Sequence, residues 1–150
     1  MAAALAQAQT AALRGEVPVG AVVLDGAGRI VAAAGNQVEA LRDASAHAEL
    51  LALRAAAARL GTTRLVGCDL VVTLEPCAMC AAAIGLFRVR RRVFGAYDPK
   101  GGGVEHGARV FDAPGSMHHP EVVGGVGEQA AAALLRDFFA GLRTAGRIQR

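Results

Sequence analysis

The chain has 150 residues, the size of one ordinary domain and enough to bury a real core. It is 53% hydrophobic, but alanine supplies much of that, and no stretch offers the roughly 20 uninterrupted apolar residues of a membrane span, which excludes a membrane-embedded class. The formal net charge is +3, with arginines gathered in "RVRRR" at 88–92 and at Arg136, Arg143, Arg147 and Arg150; this suits an anionic partner such as a nucleic acid, and equally a solvated surface.

The opening residues, "MAAALAQAQTAALR", interleave glutamine with alanine and lack a basic start and a compact apolar core. They predict a helix carrying Leu5 and Leu13 that stops near Gly15, not a signal peptide, and a cytoplasmic location follows. "VPVGAVVLD" is a β-branched strand ended by the turn "GAG" at 26–28, and "RIVAAAGN" returns antiparallel to it. Residues 37–45 read as loop, with Ser45 as the N-cap of a helix whose Leu50, Leu53, Ala57 and Leu60 form a core face at helical spacing.

"LVGCDLVVTL" is a buried strand, and "EPCAMCAAAIGLF" a helix with Pro76 at its first position. "RRVFGAY" is the next strand, 98–120 a long loop rich in Gly, Pro and His, and "EVVGGV" a short edge strand. Leu134, Leu135, Phe138, Phe139 and Leu142 stripe a last helix. Strands alternating with helices after a hairpin predict one three-layer α/β domain over 1–150, with helices on both faces of the sheet.

Two of these helices begin unusually, one with His-x-Glu and the other with Pro-Cys-x-x-Cys. Three cysteines in a reducing compartment disfavour a disulfide framework. Cys77 and Cys80 share one face near a helix N-terminus, where orphan N–H groups and the positive dipole end favour thiolate, so they form half a zinc site with His47 as third ligand. His47 and Glu49 lie roughly 200° apart on a regular helix, so the helix must begin near His47 for both to reach one cavity. Three protein ligands leave zinc a position for water, and a carboxylate beside it can take a proton and later deliver it. A redox pair explains neither His47 nor Glu49. A structural zinc knuckle needs a fourth ligand, and Cys68, His106, His118 and His119 lack metal-ligand spacing. Cys68 and Met79 read as core residues, and the adjacent His118 and His119, which could also touch phosphates, read in preference as packing groups.

"AHAE", followed thirty residues after its histidine by "PCAMC", resembles the zinc-dependent cytidine and deoxycytidylate deaminase superfamily, whose signature this is. With "EVPVGAVV", "GN", "VTLEPCAMCAAAI", "VFGAYDPKGG" and "LLRDFF", nearly the whole chain is similar to the superfamily's bacterial branch that deaminates adenosine in tRNA. Between Gly101 and Val123 it departs from the usual pattern of that branch. The resemblance implies a cytidine deaminase-like fold with a mixed five-stranded sheet, and one zinc per chain held by His47, Cys77 and Cys80. It implies Glu49 as proton shuttle and Asn36 as a hydrogen-bonding partner of the nucleoside. The N–H groups of Ala48 and Cys77 would contact substrate or water, and Asp98 and Lys100 would meet an anticodon stem-loop, although "DPKGG" is also what a turn after a strand looks like. It further implies a homodimer.

The function expected is hydrolytic deamination of adenosine to inosine at the wobble position of a tRNA anticodon. One rival is a deaminase of a free base, nucleoside or nucleotide such as cytosine, guanine or deoxycytidylate. The other is a non-catalytic RNA-binding subunit, which the presence of Glu49 disfavours. Aromatic residues make up only 4% of the chain, so arginine contacts to phosphate must contribute heavily to RNA binding.

Overall fold

Five strands form one mixed sheet in the order β2-β1-β3-β4-β5 in the structure, a computed structural model that describes residues 1–147; Arg150 lies outside them. β1 (Gly20–Leu24) pairs antiparallel with β2 (Ile30–Gly35) and with β3 (Asp69–Leu74). β3 runs parallel to β4 (Arg91–Ala96), and β4 to the short edge strand β5 (Glu121–Val123). The apolar runs of β1 and β3 are central because both their faces are covered. Ala21, Val23, Leu70 and Val72 meet α3 (Ala48–Leu60) and α4 (Ala78–Leu86), while Val22 and Val71 meet α1 (Ala2–Leu13), which shares its face with α5 (Glu128–Thr144). The expected three-layer α/β architecture with helices on both faces is what forms.

Small residues set the spacing of the outer layer. The buried stripe of α1 is Ala4, Ala8 and Ala11, whereas Leu13 is exposed. A Cβ on Gly20 would collide with the Ala4 carbonyl and stand 2.8 Å from the Gln7 Cβ, and one on Gly35 would stand 2.7 Å from the Gln7 carbonyl oxygen. Gly20→Val must therefore lift α1 from the sheet. It should cost about 1–3 kcal/mol in urea unfolding, and an unchanged midpoint would contradict this packing.

Several local expectations need correction. Residues 37–45 are not all loop, since Val38–Leu41 form a single helical turn, α2. Ser45 does not cap α3; its hydroxyl and N–H both go to Asp43 Oδ1, at 2.7 and 2.8 Å, and His47, in extended conformation, is the capping residue. The buried face of α3 is rotated to Ala48, Glu49, Ala52, Leu53 and Ala56, leaving Leu50 and Ala57 half-buried and Leu60 exposed. Pro76 precedes α4 instead of opening it, because Cys77 is the N-cap. Met79 is exposed and not core, since α4 turns that side to solvent. Cys68 is buried as expected, and His118 packs, its Nε2 donating to the Val89 carbonyl at 2.6 Å.

Candidate functional site

The carboxyl ends of parallel β3 and β4 lie at the edge of the sheet where β2 ends and β1 begins. Four segments leave the sheet there side by side, and an open α/β sheet places its crevice at that edge. A cleft of about 770 Å³ occupies it, lined among others by Asn36, His47, Glu49, Glu75, Cys77 and Asp98.

His47 and Cys77 hold equivalent places, each the extended N-cap of a helix with no side-chain cap bond, so both side chains are free to turn to each other. Cys80 comes from the first turn of α4 beneath them and is fully buried. Their ligand atoms all lie within 4.8 Å of one another. Zinc–sulfur and zinc–nitrogen bonds of about 2.3 and 2.0–2.1 Å at the tetrahedral angle require an S···N edge of about 3.5 Å. His47 Nδ1 stands 3.6 Å from Cys77 Sγ and 3.5 Å from Cys80 Sγ. The donor set fits zinc in both chemistry and size.

Hydrogen bonds from Cys80 and His47 hold the Cys77 thiol down to about 4 against the opposing effect of burial. Cys80, which donates to Cys77 and is buried, is pushed up. The hydrogen bond to Cys77 raises His47. A thiolate facing a second sulfur and an imidazole nitrogen is an arrangement a divalent cation such as zinc stabilises.

Glu49 stands in the first turn of α3, 4% exposed, with its carboxyl pushed up to about 7 by burial, while its own N–H and the neighbouring His47 draw it back. The start of the helix at His47 is what lets residues two apart share the cleft. Asn36, at the end of β2, is buried on the cleft wall, and its carbonyl accepts from Arg14 Nη2 at 3.5 Å. Ala48 is the first residue of α3, so its N–H has no acceptor within the helix.

Asp98 borders the cleft, yet its Oδ1 accepts the N–H groups of Lys100 and Gly101 at 3.1 and 2.9 Å, so it also builds the turn. Lys100 is exposed and is not among the residues bordering the cleft. Phe138, Leu142 and Arg147 of the C-terminal segment close the outer wall.

Two residues passed over in the sequence stand out. Glu16, 1% exposed, accepts the N–H groups of Ala40 and Glu39 at 2.8 and 3.2 Å and so holds α2 against the cleft. Glu75, 2% exposed, is surrounded by donors from 98–106. Burial opposes its ionisation, but the N–H groups of Asp98, His106 and Glu105 and the His106 ring outweigh this and hold the carboxyl at about 2. The available signal was an acidic residue directly after the largely apolar run "LVVTL".

The family model for the cytidine and deoxycytidylate deaminase zinc-binding region matches residues 1–96. The tRNA-specific adenosine deaminase of Agrobacterium fabrum is 52% identical over 140 residues, covering 93% of this chain and 91% of that protein. Among solved structures, one from studies of A-to-I editing by tRNA:A34 deaminases at the wobble position of transfer RNA is 50% identical. Its TM-score is 0.88, and the match covers 90% of this chain and 97% of that one. A guanine deaminase from Nitrosomonas europaea is 28% identical with a TM-score of 0.77, over 91% of this chain and 81% of its own.

Proposed function

The chain belongs to the cytidine and deoxycytidylate deaminase family, and from that premise we propose that it deaminates adenosine to inosine at the wobble position of a tRNA anticodon. The observation that carries the chemistry is Glu49, buried beside three converging zinc donors in a cleft whose outer wall includes Arg147. We read 1–150 as a single catalytic domain acting in the cytoplasm; no described helix is long and apolar enough to cross a membrane.

When bound by His47, Cys77 and Cys80, zinc supplies a Lewis acid that makes water nucleophilic near neutral pH. Glu49 takes one proton from the attacking water and passes it to the adenine ring nitrogen, then takes the second from the new C6 hydroxyl and passes it to the departing amine. The C6–O bond forms, the C6–N bond breaks, and ammonia leaves. Asn36 hydrogen-bonds the nucleoside, and the N–H groups at the starts of α3 and α4 donate into the same space. Asp98 shapes the turn that presents Lys100 to the RNA backbone. The reacting base must leave the stack, a modest cost in a single-stranded loop.

The partner is the anticodon stem-loop, and a second copy of the chain covers the apolar side of α4. That side exposes Met79 and Leu86, and Leu86 borders an apolar groove shared with Met117. Burying these side chains in a homodimer accounts for an exposure that a lone chain does not explain.

Ammonia release from an anticodon stem-loop, set against adenosine, guanine, cytosine and deoxycytidylate, tests the reading. The stem-loop should be the preferred substrate by orders of magnitude in kcat/KM, whereas efficient turnover of guanine would favour a free-base enzyme like the Nitrosomonas relative. Neutralising Arg143 and Arg147 together should raise the KM for tRNA and flatten its salt dependence by about one log–log unit for each phosphate no longer neutralised. Zinc content should not change, and unaltered kinetics across a salt titration would make this tail a solvated surface.

A further inference from the structure

Glu75 is used by none of the steps above, yet it is the most heavily hydrogen-bonded side chain at the cleft. It follows the last residue of β3 and precedes Pro76 and the zinc-ligating Cys77. Its Oε1 accepts the N–H groups of Glu105, His106 and Val104 at 2.8, 2.9 and 3.3 Å. Its Oε2 accepts the Asp98 N–H at 3.0 Å and His106 Nδ1 at 2.8 Å. Among the described residues it makes no ion pair with lysine or arginine. A carboxylate without such a partner is costly to bury unless peptide donors replace its water. Here the donors all belong to one segment, 98–106, which has no ladder or helix of its own to satisfy them.

The glycines of that segment follow from the same arrangement. A Cβ on Gly102 would stand 2.6 Å from the Glu75 carboxyl carbon and from the Asp98 carbonyl oxygen. A Cβ on Gly103 would stand 2.7 Å from the Cys77 carbonyl carbon, and the Gly103 N–H donates to the Pro76 carbonyl at 2.8 Å. Bare backbone lets the segment wrap around the carboxylate and lie against the start of α4. Asp98 and Gly101 border the cleft on this segment, with Lys100 exposed between them.

We propose that Glu75 is a positioning residue for RNA binding: its buried carboxylate anchors 98–106 to the start of the zinc-ligating helix, fixing the cleft wall that meets the stem-loop. The proposal rests on the functional reading above. It separates two tasks on neighbouring residues, since Cys77 holds metal and Glu75 holds the wall that receives the polynucleotide. Loss of the anchor should therefore weaken substrate binding and spare both the zinc and the chemical step.

The test is a graded series comprising Glu75→Gln, Gly102→Ala and His106→Ala. Gln keeps the shape but turns an amide donor toward N–H groups, whichever way it flips. Gly102→Ala keeps the Glu75 side chain but drives a Cβ against its carboxylate and so forces the segment and the anchor apart, and His106→Ala deletes only the ring donor. Each variant is assayed for zinc per chain, Kd for a fluorescein-labelled anticodon stem-loop, and steady-state kinetics below its melting temperature. The first two should raise Kd and KM in step by about tenfold or more and His106→Ala by about two- to fivefold, with kcat within about threefold of wild type. Zinc should stay at one per chain. A purely structural role would lower Tm and leave Kd and KM unaltered, and that result in any folded member of the series overturns the proposal. A wild type that neither binds nor deaminates the stem-loop overturns the functional reading and this proposal with it. A wild type that does both while the folded variants match it overturns the proposal alone.

Discussion

Glu49→Ala should lower kcat on tRNA by about 10²–10⁴-fold while the protein keeps one zinc per chain and its fold, because general acid–base transfer is the role proposed for the carboxylate. The separation follows from position. Glu49 lies beside the three donors but is not one of them; the set that converges within 4.8 Å is His47, Cys77 and Cys80. Alanine fits the first turn of α3 without strain, since Ala48 and Ala52 already occupy its buried side. The base should still enter the cleft, so Kd for the stem-loop should move little and the loss should appear in kcat. Near-wild-type ammonia release from a zinc-loaded Glu49→Ala protein would remove the proton-transfer role.

Cys77→Ser and Cys80→Ser should fail differently. A hydroxyl is a poor zinc ligand, and each change should weaken metal binding by about 10²-fold or more, with activity falling as metal is lost. Stability should fall as well, because the site ties the start of α3 to the start of α4. A ligand at 1,000 times its Kd stabilises the native state by about 4.1 kcal/mol. With free zinc at 1,000 times the wild-type Kd, wild type should therefore lose roughly that amount on chelation, whereas a variant weakened 10²-fold, left at about ten times its own Kd, should lose only about 1.4 kcal/mol. Of the two, Cys80→Ser should be the more damaging to the fold, since a fully buried thiol is exchanged for a hydroxyl that needs a partner. If both variants held one zinc per chain at unchanged affinity, the ligand set would be wrong.

The convergence of His47, Cys77 and Cys80 was legible in sequence because these residues sit at helix starts, where spacing and backbone geometry are coupled. His47 two residues before Glu49 forces the helix to begin at the histidine, and it does. The hairpin, the buried third strand and the edge strand were legible for a similar reason, as each is bounded by local turn residues and an apolar run. Facing was less legible. Leu60 falls at helical spacing with the buried Leu53 and Ala56, and Met79 is a large apolar side chain, but exposure depends on which sides of α3 and α4 the sheet covers. An alanine-rich helix gives periodicity little contrast with which to decide this.

Ser45 had the composition of an N-cap, but Asp43 lies two residues away and captures its hydroxyl, a local bond that competes with the helix start. The roles of Glu16 and Glu75 were not readable, because their partners lie 23–31 residues further along the chain in segments with no periodic pattern. Phe138 and Leu142 were recognised as apolar, while their place on the cleft wall depends on α5 sharing a face of the sheet with α1.

The central claim is that this zinc site acts on an adenine carried in a tRNA anticodon. Incubating the zinc-loaded protein with unmodified tRNA and sequencing the product tests it most directly, since inosine is read as guanosine. Conversion of adenosine to guanosine at the wobble position alone, absent with Glu49→Ala, is the predicted result. Unchanged tRNA, together with ammonia released from free guanine or cytosine by the same preparation, would contradict it.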